Sequence, residues 1–405
     1  MRPSCLVLSL LLLSFGVSAQ QPTAPQPQAT VPAAPSAEPV PGFARDGRVR
    51  DPNWFPLAVW LQDPANAAKY RELGVNLYVG LWDGPTKPQL DTLAAAGMPV
   101  ICHHNEVGAT HGGATIVAWM HNDEPDNAQG RRLRGYAPPI APAKVVADYR
   151  ALRERDTTRP VFLNLGQGAA WDGWHGRGDR SGNPEDYPEY LQGCDIGCFD
   201  IYPVTHPHRD VQGKLEFVGR GVQRLRQWTG DQKPIWACIE TGHVNNGKVR
   251  PTPEQVRDEA WLAIACGASG LVWFCHEFEP QFVEAGLLQH DDVAAAVRTL
   301  AAELRQLAPV LNSPQLPDRI TVGKDAPAGA FALRVHEHDG HLHGFLASLR
   351  AEPANVPLQV VGGGGGEVLR EGREPMLMRA GAFSLVVRGH GTTHFTIATA
   401  GTSAK

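Results

Sequence analysis

A chain of 405 residues that is 42% hydrophobic and 20% charged has room for one large domain with a smaller companion, and its composition is that of an ordinary globular protein. A net charge of -5 leaves no basic footprint, which argues against a nucleic-acid partner. The 10 tryptophans suit sugar stacking and core packing equally.

The first 19 residues read as a secretory signal peptide. Arg2 supplies the positive end, Leu6–Val17 the apolar stretch, and Val17-Ser18-Ala19 a small-residue cleavage site before Gln20. The apolar stretch is short for a membrane span, so a periplasmic or secreted protein is expected, with no membrane span. Residues 20–41 are rich in Pro, Ala and Gln and read as a linker without a core of their own. Of the 7 cysteines, Cys5 leaves with the signal peptide. Cys102, Cys238 and Cys275 sit in apolar runs, where a free buried thiol is expected. Cys194 and Cys198 form a C-x3-C pair without the second pair that a metal site would need.

From Gly42 onward strands and helices alternate. Strands are expected at Leu57–Leu61, Asn76–Trp82, Pro99–His103, Ile116–Met120, Pro160–Leu165, Gly197–Tyr202, Pro234–Ile239 and Gly270–Cys275. Helices are expected at Pro64–Leu73, Pro88–Ala96, Ala143–Arg155, Val211–Trp228, Pro253–Cys266 and Asp291–Leu307. Near-continuous apolar strands between helices indicate a parallel sheet buried on both faces. Eight such strands over residues 42–311 predict an α/β fold, a (β/α)8 TIM barrel. Two connections are long, Pro125–Pro142 and Gly166–Leu191, and the second carries Trp171, Trp174, His175, Asp186, Tyr187 and Tyr190. Both follow strands, on the side where such barrels build their sites.

Residues 312–405 change character. Phe331–His336 and Leu342–Leu349 flank Asp339-Gly340, a hairpin signal. Val356–Val361, Glu367–Arg370, Pro375–Met378, Phe383–Val387 and Thr392–Ile397 continue as short strands, which predicts a small antiparallel β-sandwich. Gly362–Gly366 reads as a flexible connection; it lacks the Lys and Ser/Thr of a phosphate loop.

Two strands end in carboxylates. Ile116–Met120 runs into His121-Asn122-Asp123-Glu124, where Pro125 stops the ladder, and Pro234–Ile239 runs into Glu240. Paired carboxylates at strand ends are what glycoside hydrolysis uses, one as acid and base, the other as nucleophile. The alternative is a pair of unrelated loop carboxylates.

These residues resemble the large clan of retaining (β/α)8 glycoside hydrolases that includes cellulases, β-galactosidases and β-mannanases. The resemblance covers about Phe55–Leu307 and rests on Asn122-Asp123-Glu124-Pro125 after the fourth strand and Trp236-Ala237-Cys238-Ile239-Glu240 on the seventh. It implies that Glu124 is the acid/base and Glu240 the nucleophile of a double displacement on β-linked oligo- or polysaccharide, with no cofactor. It further implies carboxyls about 5–5.5 Å apart and a Glu124 pKa raised by like charge from Glu240. The clan's usual Asn before the acid/base is Asp123 here, which cannot donate to a sugar hydroxyl while ionised. Tyr202 resembles the tyrosine that hydrogen-bonds the nucleophile, and Trp273 the aromatic floor under the sugar.

Trp60 and Trp82 end the first two strands and could stack on sugars. His103, His104 and Asn105 end the third and Asn164 the fifth, as hydroxyl partners. His243, His276 and Glu277 follow the last two strands. Two other functions stay open. His103, His104 and His121 could hold a divalent metal in a barrel hydrolase, or the barrel could bind carbohydrate without cleaving it. No G-x-S-x-G occurs to support a serine nucleophile.

Overall fold

The computed structural model describes residues 42–131 and 135–399. The signal peptide and linker expected over residues 1–41 lie outside them. The eight expected strands form: β1 Leu57–Trp60, β2 Leu77–Val79, β3 Val100–Cys102, β4 Ile116–Met120, β5 Val161–Leu165, β6 Ile196–Phe199, β7 Ala237–Glu240 and β8 Leu271–Phe274. All pair in parallel, in the order β6-β5-β4-β3-β2-β1-β8-β7. The remaining seam between β6 and β7 is spanned by hydrogen bonds from Gly197 N to the Pro234 carbonyl (3.0 Å) and from Trp236 N to the Gly197 carbonyl (2.8 Å), so the barrel closes.

Helices follow most strands: α1 Ala67–Glu72, α2 Lys87–Ala95, α3 Glu106–His111, α4 Pro142–Arg155, α5 Tyr187–Tyr190, α6 Glu216–Trp228, α7 Pro253–Ala265 and α8 Asp291–Leu311. The start of α7 is legible in its sequence. Thr252 caps it, Pro253 occupies the first turn, and Gln255 closes the capping box back onto Thr252. The fourth helix expected, at Val211, begins only at Glu216, because residues 211–214 form turns.

Alternate residues of the strands point to opposite faces. Ala58, Trp60, Leu77, Val79, Ile101, Phe162, Cys198, Cys238, Val272 and Phe274 fill the barrel interior. Leu57, Val59, Val100, Leu163, Phe199, Ile239 and Trp273 pack outward against the helices, with Leu93, Val222, Ala260 and Val297. This placement corrects the reading of Trp273. It belongs to the outer layer, is fully buried, and its position excludes it from the floor of a cleft. All six cysteines after Cys5 are free and buried, and burial pushes the thiols of Cys102, Cys194, Cys266 and Cys275 up to about 12.

The C-terminal strands form the expected sandwich. One sheet holds β9 Ile320–Val322, β12 Ala354–Val360 and β15 Ala382–Val387; the other holds β10 Phe331–His338, β11 His341–Ser348, β16 Thr392–Ala398, β13 Gly366–Leu369 and β14 Met376–Met378. Asp339 and Gly340 both have positive φ (46° and 70°), the backbone of the tight hairpin read from the sequence. The five glycines differ from a loose connection. Gly363 N donates to the Val360 carbonyl, the Gly364 carbonyl accepts from Gly381, and Gly366 begins β13.

The sandwich is fastened to the barrel. Arg334 of β10 is buried and donates to the carbonyls of Ile264 in the last turn of α7, of Ala268 just beyond it and of Leu311 at the end of α8. Helix C-termini carry partial negative charge and orphaned carbonyls, so a guanidinium is well matched to them. Arg388 pairs with Asp258 and His390 with Glu216.

Candidate active site

The site is assembled from residues at the C-terminal ends of β4, β5 and β6. Asn164, on β5, donates one amide to two carboxylates at once: Oδ1 of Asp123 (2.9 Å) and Oδ2 of Asp200 (3.0 Å). Cys238 Sγ approaches Asn164 Oδ1 at 3.9 Å. Glu124 lies against Asp200 as a carboxyl–carboxyl pair, which is stable only if the two share a proton. Burial first, then the charges of Asp200, Asp123 and Asp126, hold Glu124 well above the ordinary carboxylate range. Burial also raises Asp200, with Cys238 and Asp123 adding to it, while the Asn164 amide and the Glu124 carboxyl work in the opposite direction. Both carboxyls are therefore held above the ordinary carboxylate range, and a proton shared between them keeps the pair together. Asp123 reaches solvent at the rim, yet lost hydration of its carboxylate lifts it to about 6, against the Asn164 hydrogen bond. Glu124 is thus raised by burial first and by Asp200 next, rather than by the like charge expected from Glu240.

Glu124 has φ 42°, a left-handed backbone that costs a non-glycine residue on the order of 1–3 kcal/mol and persists only where surroundings enforce it. Pro125 follows it, and Asp126 anchors the turn. The Asp126 carboxylate, fully buried, accepts from Gly166 N (2.9 Å) and Tyr187 Oη (2.9 Å). Gly166 leaves room for the site: a Cβ there would stand 2.8 Å from Glu124 Oε1. The long segment after β5 is thereby packed against the barrel. Arg177 joins Asp186 (2.6 Å) and lies over the Tyr187 ring, and Trp174 Nε1 donates to Asn127 Oδ1 (2.8 Å).

Tyr202 completes the inner cluster. It is buried, its hydroxyl has no hydrogen-bond partner among the described residues, and burial and the neighbouring Asp200, Cys238, Glu124 and Asp123 push it far up. From Tyr202 an aromatic run leads outward through Phe274 (4.7 Å) to His276 (5.2 Å) and Trp82, which stacks on His276 at 5.7 Å and 28°. Phe278 and Phe282 extend it. Trp82, Phe278 and Phe282 are 45%, 49% and 55% exposed, so the run ends in an open apolar wall.

Glu240 has no part in this cluster. It is fully buried; Val204 N donates to Oε1 (2.6 Å) and Thr205 N to Oε2 (3.0 Å). No hydrogen bond joins it to Glu124 among the described residues. Its acidic neighbour is Glu259 of α7, also fully buried. Burial and Glu240 hold Glu259 well up, and burial lifts Glu240 to about 7 against hydrogen bonds from Thr205, Val204 and Glu259. The segment after β6 covers Glu240, donates to both its oxygens and closes it off from solvent.

The other expected residues scatter. Trp60 faces the barrel interior and is buried. His103 is partly buried with Nε2 unpartnered, and burial lowers its pKa. His104 turns outward onto the edge of Trp119 (4.7 Å). His121 Nε2 donates to the Gly193 carbonyl (2.7 Å). These three histidines do not converge on a common point suited to a metal. Asn105 caps α3: Oδ1 accepts from Gly108 N (2.7 Å), and Nδ2 donates to the Pro85 carbonyl (2.8 Å). Asn105→Ala is therefore expected to cost about 1 kcal/mol of stability and to leave KM unchanged; denaturant midpoints and steady-state kinetics check both.

No protein-family model and no curated protein matches the chain. Solved structures do. A provisionally assigned α-galactosidase from Bacteroides fragilis superposes with a TM-score of 0.51 at 11% identity, covering 86% of this chain and 80% of that one. A family 27 β-L-arabinopyranosidase from Geobacillus stearothermophilus gives 0.50 at 11% identity, over 86% and 97%. α-Galactosidase I from Mortierella vinacea gives 0.50 at 11%, over 86% and 98%. What this chain shares with them is the fold, a (β/α)8 barrel followed by a β-sandwich, as found in glycoside hydrolases.

Proposed function

We propose that the chain is a secreted glycoside hydrolase in which Glu124 is the acid and then the base. The observation that carries this reading is the Glu124–Asp200 pair after β4 and β6, sharing a proton and braced by the Asn164 amide that bridges Asp123 and Asp200. Divided protonation between two carboxyls is how one site supplies an acid and an ionised partner at the same pH. The open wall of Trp82, Phe278 and Phe282 suits the apolar face of a sugar ring.

In the proposed double displacement, Asp200 bonds to the anomeric carbon as the leaving-group bond breaks and the Glu124 proton passes to the leaving oxygen. Water then attacks the anomeric carbon, gives its proton to Glu124, and releases Asp200. Retention needs carboxyls about 5–5.5 Å apart; the sugar would enter between the two and part them. A second reading, with Glu240 as nucleophile, keeps its place at the end of β7 but requires a path for the sugar to a fully buried carboxylate.

The test is a panel of β-linked polysaccharides and aryl glycosides. α-Galactosides and β-L-arabinopyranosides join it because two of the similar structures carry those activities in their names. Asp200→Asn and Glu240→Gln run beside the parent. Hydrolysis abolished by Asp200→Asn and only weakened by Glu240→Gln supports the first reading; the reverse supports the second. Proton NMR of the first-formed anomer decides retention. Binding without hydrolysis across the panel would favour a carbohydrate-binding barrel.

A further inference from the structure

We infer that His243, Glu277 and His290 form a site for a zinc-class divalent cation, lying outside the carboxylate cluster and independent of which carboxylate attacks the sugar. Among the described residues they are the group whose imidazole and carboxylate ligand atoms gather within 4.8 Å of one another. His243 belongs to the segment after β7, Glu277 to the segment after β8, and His290 immediately precedes α8. Three separate stretches of chain converge on one point.

The first argument is the state of His243. Its Nδ1 has two partners, the carbonyls of Asn246 (3.0 Å) and Val249 (3.1 Å). Carbonyls only accept, so Nδ1 carries the ring proton, and Nε2 of the neutral ring presents a lone pair. A ligating imidazole held by its other nitrogen on a backbone carbonyl is the usual outer arrangement of a metal site. The second argument is the state of Glu277. Only 6% exposed, its Oε1 accepts from His243 N (2.9 Å) and His290 Nε2 (2.7 Å). The segment that carries it is closed by reciprocal backbone hydrogen bonds with Val283 (2.8 and 2.9 Å). The backbone also crowds in. A Cβ on Gly242 would stand 2.6 Å from Glu277 Oε1, and one on Gly286 2.6 Å from Glu277 Cγ. The carboxylate is thus fixed in place rather than free to swing.

Two imidazoles and one carboxylate are a donor set suited to zinc, with a fourth position left for water. Both histidines are partly exposed, which leaves a way in. For Nε2 of His290 to coordinate, the proton it donates to Glu277 must first move to Nδ1 or leave the ring. The site also has a structural reach. The His243 carbonyl accepts from Phe278 N (3.0 Å), and Phe278 belongs to the exposed aromatic wall. A cation here would fasten the segments after β7 and β8 to each other and set that wall.

The experiment titrates the metal-stripped full chain with Zn2+ by calorimetry and with Co2+ by visible absorption. One saturable site per chain is expected, with ligand-field bands for Co2+. His243→Gln and His290→Gln should each weaken binding by about 10-fold or more. Should either variant misfold by circular dichroism, Glu277→Gln serves instead: it retains an acceptor for His243 N and loses the charge. The absence of a saturable site, or variants that bind as tightly as the parent, would overturn the assignment.

Discussion

Glu124→Gln should lower kcat/KM for a glycoside with a poor leaving group by roughly 10²–10⁴-fold, the range that a positioned general acid supplies, which corresponds to about 3–5 kcal/mol of barrier. An aryl glycoside whose leaving group departs unprotonated should lose far less at the bond-breaking step. The difference matters because glutamine fills the same space and keeps a donor, so a loss due only to altered packing would be equal for both substrates. The pH profile gives a second readout. Burial and the charge of Asp200 hold Glu124 well above the ordinary carboxylate range, so the basic limb of the parent reports its deprotonation. That limb should vanish in Glu124→Gln. Equal losses across leaving groups, with the basic limb retained, would remove Glu124 from the proton-transfer role.

The second large effect concerns stability. Glu240 and Glu259 are both fully buried, and Glu240 titrates near 7 in the folded protein against 4.5 as its ordinary value. The folded state therefore binds a proton that the unfolded state has already lost between those values. Stability from this pair is fully present below about pH 4.5 and is lost as pH rises through about 7. Across that window the loss is on the order of 3 kcal/mol from Glu240, and Glu259 extends it upward. Glu259→Gln keeps a neutral donor facing Glu240, so the Glu240 part should remain while the further loss that Glu259 adds above about pH 7 should go. Urea midpoints taken from pH 5 to pH 8 would show it. A parent that becomes more stable over that interval would mean that the two carboxyls are hydrated or paired with a cation.

The barrel was legible because parallel strands buried on both faces must be apolar throughout, and each was punctuated by Pro, Gly or a polar cluster. That same uniformity hid which way side chains point. Trp273 sits between Val272 and Phe274, which face inward, and nothing in an unbroken apolar run marks it as the outward member. Asp200 was within reach of the sequence. It stands two residues before Tyr202, so strand alternation puts the two on one face and makes Asp200 a site candidate on the same footing as Tyr202. Glu240 shows the opposite limit. It has the same parity as Cys238, which faces the interior, yet the loop donors that occupy it come from residues 204 and 205, some 35 positions away in the chain. Asn105 was read as a hydroxyl partner because an Asn after a strand and an Asn before a short helix look alike in one dimension. The short α3 was too brief to announce itself by periodicity.

Arg334 has a consequence for how such a protein can be divided. It is rooted in the sandwich but satisfies the carbonyls that end two barrel helices, so those ends are complete only when both halves are present. A barrel cut off after α8 would exchange a charged internal cap for bare carbonyls in an apolar seam. The C-terminal module is therefore part of the barrel's own foundation rather than a cassette, and descendants of this architecture would be expected to gain or lose the two halves together.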